Sequence, residues 1–351
     1  MNKKDLVQNI LSFYNEIQFD FDVYIVADLQ TRTSKMDFPH IVHADESEFF
    51  SRTEFAEIAS AIFYSFGFVK VFYSEFEFIK YILEKNIDCN ECIVYNFARD
   101  GRANGKKSLI PAFCDLLNIR YTGSDAFVIS LLRNKYIYTE FLGQNEIYVP
   151  ESKIFSQSDN LSQLTNTFFN RRVIAKNRYE SASIGLSAEN VFLFDQNSSA
   201  KLSTLLKNMK TDSLLVQEYI DGIECEVLVL QYKTIYYALD PVKIIFKSEH
   251  NFIDGDTSNQ YNYEFSILES PLNPIIQGLA TKAAMMLGIK DYARFDFRIK
   301  DNIPYLFDIA GTPYTIYHSS IAYLFTKCYH MPYENIYKVI VACMLSNYEM
   351  V

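Results

Sequence analysis

Apolar residues recur at helical spacing from the start of the chain, at Leu6, Ile10, Leu11, Tyr14 and Ile17. That period predicts a surface helix with one buried face. A second stripe, Phe55, Ile58, Ala59, Ile62, Phe63 and Phe66, predicts a helix over 53–66 with Gly67 as its stop. Short apolar runs at 21–27, 69–72 and 91–96 read as buried strands, and a further helix is expected over 75–85. Strand and helix alternate, which argues for a parallel sheet with ligand loops at the carboxyl ends of its strands.

After Asp125 the pattern changes. Residues 126–143 read as helical, 172–176 and 190–194 as strands flanking a polar loop, and the polar stretch 195–213 holds another helix. From 214 onward the strands lengthen and take on an antiparallel style. One helix interrupts them over 272–287, carrying Leu272, Ile275, Ile276, Leu279, Ala283, Met286 and Leu287 and stopping at Gly288. The natural division is an N-terminal α/β domain over 1–130, a central domain over 131–222 and a C-terminal domain over 223–351.

Composition narrows the class. Hydrophobic residues make up 49% of the 351, enough for a sizeable core. Against 43 acidic residues stand 33 Lys and Arg, a net charge of −10 that opposes general nucleic-acid binding but leaves room for one basic pocket holding a small anion. The longest useful apolar run, 339–345, is far short of the ~20 residues a bilayer span requires. Lys3 and Lys4 are followed at once by Asp5, unlike a signal peptide, so a cytoplasmic protein without membrane attachment is expected. Cys89 and Cys92 form a lone CxxC with no second pair downstream, which reads as ordinary thiols before a buried strand.

Four segments carry candidate chemistry. The strand Val173-Ile174-Ala175-Lys176 delivers a lysine to a small, hydroxyl-rich loop running to Gly185. Its backbone N–H groups and Ser183 can donate to phosphates while Lys176 supplies charge; an ordinary hairpin loop is the alternative. Next, an apolar strand from Leu214 runs through Gln217 into a turn at Asp221-Gly222. The strand after it opens with Glu224 and Glu226 on one face, suited to ribose hydroxyls or simply to solvent.

The third segment is the most informative. Alternation sends Tyr292, Arg294, Asp296 and Arg298 to one face of a strand, and Ala293, Phe295, Phe297 and Ile299 to the core face. The following strand is expected to bury Tyr305, Phe307 and Ile309 and to turn Asp308 the other way. An odd-length turn near Asp301-Asn302 sets Asp296 opposite Asp308; a two-residue turn sets them on opposite faces. Opposed carboxylates repel and need a cation between them, and acidic oxygens without His or Cys point to Mg²⁺ shared with a nucleotide. Salt bridges to Arg294 and Arg298 are the competing explanation. The fourth segment, Gly311 to Ser320, is a polar loop entering a helix, where Ser319 and Ser320 either cap the helix or help hold a carboxylate.

Taken in order and spacing, these segments resemble the ATP-grasp superfamily, and within it the D-alanine–D-alanine ligase family, from Val94 to Ser320. Asn104-Gly105, Ile110-Pro111 and the stretch Ile119 to Ser124 are similar to the family's first-domain closing segment. The resemblance implies a three-domain α/β (α+β) fold that grips ATP between two β-layers. It places Lys135 and Lys176 on the nucleotide phosphates, Ser181 and Ser183 in the flexible phosphate loop, Gln217 beside adenine and Glu224 on the ribose. Arg294 then stabilises the oxyanion, with Ser183 the second catalytic candidate. Asp296 and Asp308 hold Mg²⁺, with Mn²⁺ as a substitute, and His318, Ser319 and Ser320 form the acceptor side. The implied reaction joins an amino-acid or small-peptide carboxylate to an amine through an acyl phosphate, releasing ADP and phosphate, in a homodimer that binds no nucleic acid. A catalytically impaired member that binds nucleotide or ligand as a regulatory or partner module is the alternative.

The departures fall on the acceptor and metal side. Ala310 replaces the family's metal-site asparagine, Asp308 its glutamate, Tyr314 its oxyanion glycine and Ser258 its acceptor-side lysine. In the phosphate loop, Ser181 and Ala182 replace glycine and serine.

Overall fold

The computed structural model describes residues 2–17, 20–30, 48–85, 87–100, 104–157, 161–180, 183–247, 252 and 261–348. Ser181, Ala182 and Ser258 lie outside the described residues, as does 31–47 between the first strand and the helix Arg52–Phe66.

Strands β1 (Asp22–Ala27), β2 (Val69–Phe72), β3 (Cys92–Phe97) and β4 (Arg120–Tyr121) form a parallel sheet in the order β2-β1-β3-β4. Every residue of β3 is buried, as expected of a strand covered on both faces. Ser51 and Glu54 close a capping box on the helix Arg52–Phe66, and Gly67 ends it at φ 80°. At the start of β3, burial pushes the Cys92 thiol up to about 12, with Cys89 adding to the effect.

The second sheet contains β5 (Ser152–Ser156), β6 (Arg172–Asn177), β7 (Val191–Leu193) and β8 (Ser213–Glu218). They are antiparallel, in the order β5-β8-β6-β7. The third holds β9 (Ile223–Tyr232), β10 (Ile235–Ala238), β11 (Val242–Phe246), β12 (Tyr263–Ile267), β13 (Tyr292–Lys300) and β14 (Ile303–Ala310). Its order is β12-β11-β9-β13-β14, with β10 paired to β9. The helix Asn273–Leu287 covers it with Ile276, Ala280, Ala283, Ala284 and Leu287, and ends at Gly288 in the left-handed region. The apolar run 339–345 lies in the helix Asn335–Tyr348, a core element joining Val23, Ile25 and Tyr95 of the first sheet to Leu228 and Leu230 of the third. No helix among the described residues is long and apolar enough to cross a membrane.

Residues 126–143 are helical, as expected, but in two pieces, Ala126–Arg133 and Lys135–Gly143, broken at Asn134 with φ −98° and ψ 85°. Asn134 both ends the first and caps the second, its side chain accepting from the Ile137 N–H. One expectation is corrected, and it concerns β14. Its turn from β13 is the two-residue kind, with Asp301 and Asn302 at φ 50° and 61°. By alternation that turn alone would send Asp296 and Asp308 to opposite faces. Phe307 is an extra, bulged residue, so Phe297 pairs with Leu306 while Asp296 pairs with Asp308. The bulge also changes the core face: Leu306 and Ile309 are buried, whereas Tyr305 and Phe307 are only half-buried.

Candidate active site

The second and third sheets face each other across a cleft of about 810 Å³. Lys176 on β6 and Gln217 on β8 come from one wall; Glu224 on β9, Arg294 and Asp296 on β13 and Asp308 on β14 come from the other. Lys135, Ser183, His318, Ser319 and Ser320 complete the set, so every described residue singled out in the sequence lines this one cleft.

Local structure explains the placement. The break at Asn134 puts Lys135 in the first turn of a new helix, and its backbone N–H donates to Arg178 O at 3.1 Å, next to the loop that follows Lys176. The Lys135 ammonium donates to Asp308 Oδ1, which also accepts from Tyr138 Oη at 2.8 Å. Burial alone would raise the Asp308 carboxyl, but Lys135 and Lys176 outweigh it and hold the group at about 2. Lys176 itself is lowered to about 8, by burial first and by Lys135 second. Gly222 makes the turn between the walls possible: a Cβ there would lie 2.1 Å from Ile299 O.

On the opposite wall Arg294 forms a bidentate pair with Asp296, Nε–Oδ1 and Nη2–Oδ2 both 2.8 Å, and its Nη2 lies 3.3 Å from Glu226 Oε1. Arg298 holds Glu224 differently, its Nε at 2.9 Å and its Nη2 both donating to the one oxygen Oε2. Burial raises the Asp296 and Glu224 carboxyls against the pull of these arginines. Gln217 Nε2 donates to Ser152 Oγ at 2.9 Å. Ser319 caps the short helix Ser320–Tyr323, accepting from the Ala322 N–H at 3.1 Å, and Ser320 Oγ donates to Glu226. The capping alternative therefore describes Ser319, while the Ser320 hydroxyl is directed at a carboxylate of the cleft.

Sequence reasoning gave Glu180 no site role and left Glu226 between ribose hydroxyls and solvent, yet both line the cleft. Glu226 pairs across the strands with Asp296, which itself pairs with Asp308, so three carboxylates stand side by side on β9, β13 and β14. Its signal was the alternation with Glu224, but nothing local marked it as buried. Burial raises it to about 7 against the pull of Arg294. Glu180, on the loop after β6, lines the cleft and pairs with Lys106 at 2.6 Å and Arg133 at 3.4 Å. Those two cations, with Lys107 and Arg99, surround the fully buried Glu48. Another acidic group, Asp28, Glu75 and Asp100, lies at the end of β1, where Asp28 accepts from the Arg99 and Asp100 N–H groups.

The D-ala D-ala ligase C-terminus family model matches residues 147–341, more than half of the chain. The chain belongs to the D-alanine–D-alanine ligase family of ATP-grasp proteins. The D-alanine–D-alanine ligase of Thermotoga maritima is 26% identical over 217 residues, 60% of this chain and 66% of that protein. The corresponding enzyme of Aquifex aeolicus is 25% identical over 198 residues, 56% of this chain and 63% of that protein. The matched stretch thus spans less than two-thirds of these relatives. Among solved structures, the D-alanine–D-alanine ligase from Bacillus anthracis complexed with ATP superposes with a TM-score of 0.67 at 14% identity, covering 94% of this chain and 99% of the other. A D-Ala:D-Ser ligase from Enterococcus faecalis gives 0.65 at 12%, covering 93% and 99%. The mixed α/β architecture is that of the ATP-grasp ligases over nearly the whole chain.

The donor chemistry fits the family's ligands. Two buried lysines, Lys135 bonded to Asp308 and Lys176 close enough to act on the same carboxylate, in a cleft of this size suit a nucleoside triphosphate. Asp296 and Asp308 offer only oxygen, the donor type of Mg²⁺.

Proposed function

We propose that the protein is an ATP-dependent carboxylate–amine ligase acting on an amino acid or small peptide, with ATP bound between the second and third sheets. The observation that carries this reading is the placement of Lys135 and Lys176 against Asp308, beside Asp296, across one cleft. Lys135 and Lys176 would hold the phosphates, Gln217 would pack beside the adenine and Glu224 would accept the ribose hydroxyls. Ser183, at φ 56° in the loop after β6, would bring its hydroxyl to the phosphates. Asp296 and Asp308 would hold Mg²⁺, which neutralises charge on the transferring phosphoryl group when bound. Arg294 would leave part of its clamp on Asp296 to stabilise the oxyanion formed when the amine attacks the acyl phosphate. The facing walls would keep water from that acyl phosphate.

A second reading is a nucleotide-binding module without turnover. It is favoured by Ala310, which supplies no oxygen where the family's asparagine would, and by the closed Arg294–Asp296 pair. The deciding experiment incubates the protein with ATP, Mg²⁺ and amino acids of both enantiomers, singly and in pairs. The ligase reading expects ADP and phosphate release that needs both Mg²⁺ and an amino-acid pair. Stabilisation by ATP without release for any pair supports the binding module instead.

A further inference from the structure

The floor of the cleft runs across the third sheet from Asp308 on β14, through Arg294 and Asp296 on β13 and Glu226 on β9, to β12 at the far edge. The nucleotide and its cation account for the β14 end. The β12 end is of a different chemistry. Tyr263 and Phe265 alternate along β12, so their rings share one face, and Tyr261, at φ 51° just before the strand, brings its ring to the same His318. His318 packs against all three, with ring centroids at 4.5, 4.9 and 5.3 Å. These four side chains line the cleft and remain half-buried, so the cleft ends in an aromatic wall with uncovered apolar surface. His318 Nε2 is buried with no hydrogen-bond partner among the described residues. Between this wall and Arg294 lies Glu226, a buried carboxylate that accepts from Ser320 and approaches Arg294.

We propose that the amine-donating substrate is an amino acid, or the first residue of a peptide, with a large aromatic side chain. Its amino group sits on Glu226, next to Arg294, and its ring lies against Tyr261, Tyr263, Phe265 and His318. The inference rests on the ligase reading and extends it to a substrate class. The geometry joins two requirements: a carboxylate holds the nitrogen beside the candidate oxyanion-stabilising arginine, and rings that water now wets gain a partner for their faces. An alanine methyl would leave most of that wall uncovered. Burying an aromatic side chain of this size is worth about ten- to hundred-fold in binding over a residue that leaves the wall wet.

The test uses the full chain saturated with Mg²⁺ and a non-hydrolysable ATP analogue. Phenylalanine, tyrosine, leucine and alanine, each in both enantiomers, are titrated calorimetrically. Phosphate release with ATP is then measured for the same amines and a fixed carboxylate partner. Expected is an aromatic amino acid binding and turning over about ten- to hundred-fold better than alanine. Tyr263→Leu, which keeps an apolar residue on the edge strand, should narrow that ratio, and Glu226→Gln should weaken amine binding while nucleotide binding persists. Turnover in which alanine equals or exceeds the aromatics overturns this inference and leaves the ligase reading standing. Failure of the nucleotide-loaded protein to bind any aromatic amine also overturns it, whereas failure to bind ATP at all sinks the ligase reading first. Should Tyr263→Leu fold poorly, His318→Ala tests the same wall from the neighbouring segment.

Discussion

Asp296 and Asp308 are cross-strand partners because one residue, Phe307, is inserted between them and the turn. The two-residue turn alone would separate these carboxylates onto the two faces of the sheet. The bulge therefore builds the acidic side of the cleft, and it also points Phe307 into the cleft beneath Lys176, 5.9 Å from the ring centroid.

Removing one member of the pair tests its role. Asp296→Asn keeps the size and the hydrogen-bonding outline but not the charge that a cation requires. Turnover should vanish while far-UV circular dichroism and the cooperativity of thermal melting stay intact; preserved turnover would count against a metal role for Asp296.

Arg294→Lys should separate binding from chemistry. A lysine keeps a positive charge beside Asp296 but loses the planar fork that reaches two acceptors at once. If Arg294 stabilises the oxyanion, kcat should fall about 10²–10³-fold while the KM for ATP changes little. Steady-state phosphate release resolves the two quantities.

The pH dependence of nucleotide affinity should report Lys176. Burial lowers its ammonium to about 8, so the protein free of nucleotide loses that charge as pH rises through 8, well before an exposed lysine would. Phosphates favour the charged form, so affinity is full below that value and weakens above it. Calorimetric titration with a non-hydrolysable ATP analogue between pH 7 and 9.5 should show the decline, and Lys176→Arg should flatten it. Affinity constant across this range would argue that Lys176 does not face the phosphates.

Glu48 tests the cluster behind the cleft. Its carboxyl is completely buried, and although burial would raise it, Lys107, Arg133, Lys106 and Arg99 hold it well below the ordinary carboxylate range. A depressed acid contributes stability that is present above its unfolded value and lost as pH falls towards the folded one. Glu48→Gln leaves four buried cations without their shared partner and should cost about 3–5 kcal/mol by urea denaturation at pH 7.

Gly222→Ala should destabilise the fold without touching the chemistry, because its new methyl would overlap Ile299 O. A shift of about 1–3 kcal/mol in the unfolding free energy is expected.

Strands β1, β2 and β3 of the first sheet were legible because their apolar runs are strong, and the stripe of the helix Arg52–Phe66 because Gly67 ends it; β4, only two residues long, leaves no such run. The paired helices at Asn134 were not: the 3.6-residue period continues across the break, and only the side chain's capping of Ile137 reveals it. The same holds for β14, where a bulge leaves no mark in an alternating sequence. Candidate residues from Lys135 to Ser320 were found through the joint order of motifs, and the structure brings the described ones to one cleft. Glu180 and Tyr263, and the burial of Glu226 beside Asp296, stayed hidden because they depend on which sheet faces which, a relation no local period encodes.

The backbone hydrogen bond from the Lys135 N–H to Arg178 O ties the first turn of the helix Lys135–Gly143 to the segment just beyond β6. The two candidate phosphate-gripping lysines thus enter the cleft from main chain that is stitched together, while the reach of each ammonium is left to its own side chain. A shift of the segment at Arg178 would therefore be felt at the root of both lysines rather than at one alone.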